Sequence, residues 1–159
     1  MALVTDATGN ELTYRIIGAA KAVHNEQGPG YPEEVYERAL AVELAKRGIH
    51  GVRQKRVEVY HDGVPVGLFF LDLWVENLVV VEIKARSWQL TNDEVAQVIT
   101  YLTATGAPVG LLFNFGRKAL EYRRIFPPRK VQEHSSRMGR YSVKRAERRF
   151  AGHQRIGNE

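Results

Sequence analysis

The stretch Leu71–Ser87, "LDLWVENLVVVEIKARS", carries the reading of the fold. Four apolar residues, Leu78 to Val81, run into Glu82; Ile83 follows, then Lys84 and Arg86. A run apolar on both faces belongs at the centre of a sheet, covered from both sides. Side chains alternate along a strand, so Glu82 and Lys84 leave on one face while Ile83 points into the core. For Asp72 on the preceding strand to join them, it must lie across from Glu82. A two-residue Glu76-Asn77 turn would instead set Asp72 opposite Val81, with Glu82 on the far side, because a one-residue slip reverses the whole set. Convergence of the three charges therefore predicts a three-residue connection, Glu76-Asn77-Leu78, with Asn77 left-handed, or a bulge nearby.

The flanking sequence supplies the rest of the architecture. Upstream, "ELTYRIIGAAKAVH" (11–24) places Leu12, Ile16, Ala20 and Val23 on one helical stripe, and "NEQGPGY" breaks it. A second helix begins at Pro32, with Glu33 and Glu34 in its first turn, and runs to Gly48. The period then changes: "VRQKRVEVYHDG" alternates from Val57 and turns at Asp62-Gly63, and "VPVGLFFLDLWVEN" leads into the central run. In "TNDEVAQVITYLTATG", Thr91 and Glu94 have capping-box spacing and Gly106 closes the helix. "PVGLLFNFG" and "LEYRRIF" are two last strands, and Pro127-Pro128 ends the compact part. Helix, helix, three strands, helix, two strands indicates an α/β (α+β) domain with a five-stranded sheet flanked by helices.

The chain of 159 residues is 44% hydrophobic and 26% charged, the balance of one soluble globular domain. It has no cysteine, which excludes thiolate metal sites, thiol nucleophiles and disulfides. The amino-terminal segment lacks a basic region leading into an apolar one, and no apolar run approaches a membrane span. The expectation is no membrane association and a cytoplasmic location. Residues 129–159 hold nine Lys or Arg and three acids, net +6, so the overall +5 is a property of the tail. We expect a domain over 1–128 and a basic extension over 129–159, disordered or helical. Lys144, Arg145, Arg148 and Arg149 are its candidate phosphate contacts. A merely solvated tail is the alternative.

Two carboxylates and a lysine at the end of buried strands cost desolvation energy unless compensated. A divalent cation is one compensating partner. Asp72 and Glu82 offer hard oxygens and the Ile83 carbonyl a third, which leaves positions for water, as Mg²⁺ prefers. Lys84 beside it could orient or deprotonate an attacking water. The competing reading is an ordinary Glu82–Lys84 surface ion pair. The five histidines, at 24, 50, 61, 134 and 153, lack metal-ligand spacing. No glycine-rich loop stands in the context of a nucleotide-binding fold.

Asp72 followed by Glu82-Ile83-Lys84 resembles the signature of the PD-(D/E)XK nuclease superfamily. "GYPEEVYERALAVEL", with Gly30, Glu33 and Tyr36 at the naming positions, resembles the GxxExxY proteins placed within it. "GLLFNFG" and "LEYRRI" resemble that family's closing strands. The resemblance covers residues 11 to 126 and implies a restriction-endonuclease-like core, a central mixed five-stranded sheet flanked by helices, with a metal site at one edge. It departs at Leu71, where the superfamily's name has proline, and it does not reach the tail.

The resemblance also gives roles to other residues. Gln97 and Tyr101 match the QxxxY motif of RecB-type and phage-exonuclease-type members, and i and i+4 share a helix face. Glu33 is implied as a further metal ligand; otherwise it is a first-turn acid favoured by the helix dipole. Tyr36 either reaches substrate or packs against the sheet. Arg86 and Trp88 follow the site closely enough to touch nucleic acid. The implied activity is Mg²⁺- or Mn²⁺-dependent hydrolysis of phosphodiester bonds, in DNA rather than RNA and exonuclease-like, with a homo-oligomer as in such relatives. The reading from another class is a nucleic-acid-binding or assembly module that keeps the fold without turnover.

Overall fold

The computed structural model describes residues 10–128. Helices α1 (Asn10–Gln27) and α2 (Glu33–Lys46) precede strands β1 (Gly51–His61), β2 (Val64–Val75) and β3 (Val79–Lys84). Helix α3 (Asn92–Thr105) then leads to β4 (Val109–Asn114) and β5 (Glu121–Ile125). The sheet order is β1-β2-β3-β4-β5, with β3 and β4 parallel and the other neighbours antiparallel. The α3 crossover supplies the length that a parallel connection needs. As the continuous apolar run requires, β3 is the middle strand, and all six of its residues are buried.

Two apolar layers sandwich the sheet. Helices α1 and α2 cover one face, where Leu12, Ile16, Tyr36 and Leu40 pack with Val79, Val81 and Ile83. Helix α3 covers the other, where Val98 and Leu102 pack with Val80 and Leu112. Helix α3 is closed at both ends as its sequence dictates: Thr91 and Glu94 form a complete capping box, and Gly106 is left-handed at φ 72°. It approaches β4 closely at Gly110, where an added Cβ would lie 2.6 Å from Val98 Cγ1.

The strand pairing sets the site. Leu73 pairs with Val81, Trp74 with Val80 and Val75 with Val79, so the connection is the three residues Glu76-Asn77-Leu78. Glu76 and Asn77 are both left-handed, at φ 52° and 54°, where the sequence indicated only Asn77. Side-chain bonds hold the turn: Trp74 Nε1 donates to Asn77 Oδ1 (3.1 Å), and the His50 amide donates to Glu76 Oε1 (2.6 Å). The same register carries Asp72 to the level of Glu82.

An irregularity sits at this level. Phe69 and Leu71 pack in the α3 layer, but Leu73 and Val75 pack in the other, so β2 changes face at Asp72. On β1 the ladder passes from Arg53↔Leu73 to Lys55↔Leu71, and the intervening Gln54 is left-handed at φ 52°. A non-glycine residue held there costs on the order of 1 kcal/mol or more. The beginning of β2 thereby keeps an apolar face on α3 while its end serves the opposite layer.

Gly110→Ala should push α3 off the sheet and destabilise the domain by about 1–3 kcal/mol, because a β-branched neighbour cannot swing away. Urea denaturation should show a lower midpoint with an unchanged m-value.

Candidate active site at the end of the central strands

Glu82 and Lys84 project on the α3 face at the end of β3, and both are buried, at 5% and 9% exposure. Lys84 Nζ lies 3.5 Å from Glu82 Oε1. Asp72 is locked against the same strand, with its Oδ2 accepting the Ile83 amide at 2.7 Å. The three charges thus converge on one point.

The electrostatics are unbalanced. Burial, followed by the Asp72 charge, pushes the Glu82 carboxyl up to about 8 against the opposing pull of Lys84. Among the described residues, Glu82 Oε2 is the buried side-chain polar atom left without a hydrogen-bond partner. A polar atom in that position costs about 1–3 kcal/mol, and more if charged. A cation beside it would remove the cost. The donor set is oxygen-only, with two carboxylates and a nearby main-chain carbonyl, and this suits a hard ion that keeps several waters. Among the described residues no three His, Asp or Glu side chains form a ready cage, so the protein would contribute few ligands. These residues fit a divalent metal of the Mg²⁺ type.

Helix α3 brings Gln97 and Tyr101 to the same side. Gln97 Nε2 donates to Tyr101 Oη at 2.7 Å, and the tyrosine ring stacks on Phe69 with centroids 4.6 Å apart. Burial, then the charges of Glu82 and Asp72, raise the Tyr101 hydroxyl pKa. That dependence on Glu82 and Asp72 ties the helix pair to the strand charges.

Helix α2 turns Glu37, rather than Glu33, toward the site. Glu33 is exposed in the first helical turn. Glu37 is buried at 5% exposure and accepts hydrogen bonds from Arg53 Nε (3.2 Å) and Gln54 Nε2 (3.0 and 3.1 Å). Burial raises its pKa, and the Asp72 charge adds to that rise. The strained Gln54 therefore holds a third carboxyl near Asp72. A glutamate on the buried stripe of Tyr36, Leu40 and Leu44 was the available signal in the sequence.

Tyr36 is corrected as a nucleic-acid contact. It is fully buried, stacks on Phe115 at 4.7 Å, and donates its hydroxyl hydrogen to the Gly28 carbonyl at 2.5 Å. The packing alternative for this residue is the one realised, because the ring is large and apolar enough to serve the core.

The segment after β3 is fastened by residues the sequence reading passed over. Asn114 lies directly across from Lys84 in the β3–β4 register. Its Oδ1 accepts the amides of Arg86 (2.9 Å) and Gly116 (3.1 Å), and its Nδ2 donates to the Trp88 carbonyl (3.0 Å). Gly116 lies so close that an added Cβ would collide with the backbone of Ala85 and Arg86. Arg86 pairs with Glu94 and places its guanidinium 5.8 Å from the Trp88 ring centre. Trp88 itself is 58% exposed. Lys144, Arg145, Arg148 and Arg149 lie outside the described residues.

A family model described as the PD-(D/E)XK nuclease superfamily matches residues 10–125. A search of curated proteins finds no match. Among solved structures, the chain is similar to an alkaline exonuclease (LHK-Exo) from Laribacter hongkongensis, with 12% identity and a TM-score of 0.47 over 98% of this chain and 87% of that one. The structure of LHK-Exo in complex with dAMP gives 12% identity and 0.47 over 97% and 87%. That of SSO0001 gives 11% identity and 0.41 over 80% and 85%.

Glu82 also sets a pH dependence. In the folded chain it keeps its proton up to about 8, whereas the ordinary value is 4.5. Its contribution to stability is thus complete below the lower value and is lost as pH rises through the higher one. In EDTA, thermal denaturation should show stability falling by a few kcal/mol between about pH 5 and about pH 8. Glu82→Gln should flatten that fall, and Mg²⁺ should raise the melting temperature of the unmodified chain most at the alkaline end.

Proposed function

The chain belongs to the PD-(D/E)XK nuclease superfamily, and from that we propose that it hydrolyses phosphodiester bonds of DNA in a Mg²⁺- or Mn²⁺-dependent reaction. The observation that carries the proposal is the Asp72–Glu82–Lys84 cluster, in which Glu82 and Lys84 are buried and one carboxylate oxygen of Glu82 is unpartnered. Asp72, Glu82 and the Ile83 carbonyl would hold the ion. Glu37 rather than Glu33 is the carboxyl of α2 placed to tune them. When bound, the ion supplies positive charge to the phosphate and acidity to water at neutral pH.

The remaining chemistry is that of the side chains. Lys84, fixed against Glu82, presents N–H donors that orient the attacking water and offset the negative charge growing on the phosphate oxygens. The raised pKa of Tyr101 keeps its hydroxyl protonated across the ordinary pH range, where it serves as a donor to a phosphate oxygen. Gln97 holds that hydroxyl in position. Water attacks phosphorus and gives up a proton to solvent, the bond to the leaving oxygen breaks, and that oxygen takes a proton from solvent. The resemblance to QxxxY-bearing relatives favours attack from strand ends.

A binding module without turnover is the second reading, favoured by the net +6 of residues 129–159. Salt-sensitive DNA binding with no cutting in Mg²⁺ or Mn²⁺ would establish it.

Lys84→Ala should lower cleavage of linear duplex DNA in Mg²⁺ by about two orders of magnitude or more, with circular dichroism unchanged. Cleavage undiminished in that variant refutes the mechanism. Glu37→Gln should reduce cleavage, while Glu33→Gln at the exposed first turn should leave it near the parent rate. The reverse ranking would return the role to Glu33.

A further inference from the structure

Trp88 is a large aromatic ring, 58% exposed, presented to solvent by a segment held through hydrogen bonds to Asn114. Its carbonyl is held by Asn114, the residue across from Lys84. Its ring is backed by Arg86, which is itself paired with Glu94 at the start of α3. The guanidinium is thus engaged by a carboxylate and a ring. From Lys84 the path to Trp88 is four residues, at most about 14 Å of chain. An exposed indole pinned beside a cleavage site, with a cation behind it, has the features of a base-stacking platform.

We propose that Trp88 stacks on an unstacked base of the substrate strand, so that the site takes single-stranded nucleic acid or a strand end that has opened. The substrate-class part of this inference rests on the nuclease reading; the stacking part does not. A base inside an intact duplex is already stacked on its neighbours and offers no free face to the indole. Continuous duplex would therefore be engaged only where its end frays. Arg86 acts in this scheme as a positioning residue.

The test compares oligothymidylate with an abasic strand of equal length, both bound by full-length Lys84→Ala protein so that neither is cut. Adding Trp88→Ala should weaken oligothymidylate binding roughly tenfold or more and leave the abasic strand unaffected. The slope of affinity against salt should stay the same, because no phosphate contact is lost. Trp88→Phe should restore most of the binding. Equal losses on both strands, or no loss on oligothymidylate, would overturn the inference. The parent protein, with Lys84 intact, separates the two ideas. Base-dependent binding with no cleavage sinks the nuclease reading and leaves the platform standing. Cleavage that is indifferent to Trp88→Ala on both single strands and frayed ends sinks the platform alone.

Discussion

A carboxylate taken out of water at the end of a fully buried strand, with an aspartate beside it and a single ammonium 3.5 Å away, is under electrostatic stress that packing cannot relieve. The surrounding elements are arranged to hold that stress in place. The three-residue turn fixes the register that brings Asp72 level with Glu82. The Ile83 amide ties Asp72 to the strand that carries its electrostatic opponents. The left-handed Gln54 lies beside the level at which β2 changes face, and its side chain holds Glu37 near Asp72. Were the cluster only an ion pair, one carboxylate opposite one lysine would suffice. Here Asp72 adds a second carboxylate beside Glu82, and Glu37 a third carboxyl near Asp72.

The second group of constraints acts on the other side of Lys84. Asn114 and Gly116 clamp the backbone that follows β3, one through its amide group and the other by having no side chain. Glu94 serves twice, completing the cap of α3 and pairing with Arg86, and hydrogen bonds from Thr91 lead in holding its carboxyl down to about 2. The start of α3 is thereby coupled to the loop that carries Trp88. Helix α3 also supplies Gln97 and Tyr101, so one rigid element sets both the polar lining of the site and the rim beside it. No helix among the described residues is long and apolar enough to cross a membrane.

Much of this was legible in the residues themselves. Apolar periodicity, glycine stops and the Thr91–Glu94 box give the elements and their order, since these are local signals of backbone geometry. The doubly apolar run 78–81 gives the central strand, because only a position covered on both faces tolerates it. Parity along two strands even gives the length of the turn. Asp72, Glu82 and Lys84 could be named together because they lie within one hairpin, where sequence distance and spatial distance are tied.

What depended on long-range packing was not legible. Whether Glu33 or Glu37 turns inward is decided by how α2 rests on the sheet, and helical neighbours one turn apart look alike to a motif. Tyr36 bears a hydroxyl that suits a surface, yet Phe115, far along the chain, makes the core its better place. Arg86 reads as a free cation until α3 brings Glu94 against it. Asn114 is an unremarkable strand end until the parallel pairing sets it across from Lys84. The sequence by itself determined the elements and the charges within one hairpin, because neighbours in the chain are neighbours in space. The tertiary structure alone decided which polar groups pair, because a buried charge is satisfied by whatever the fold places against it.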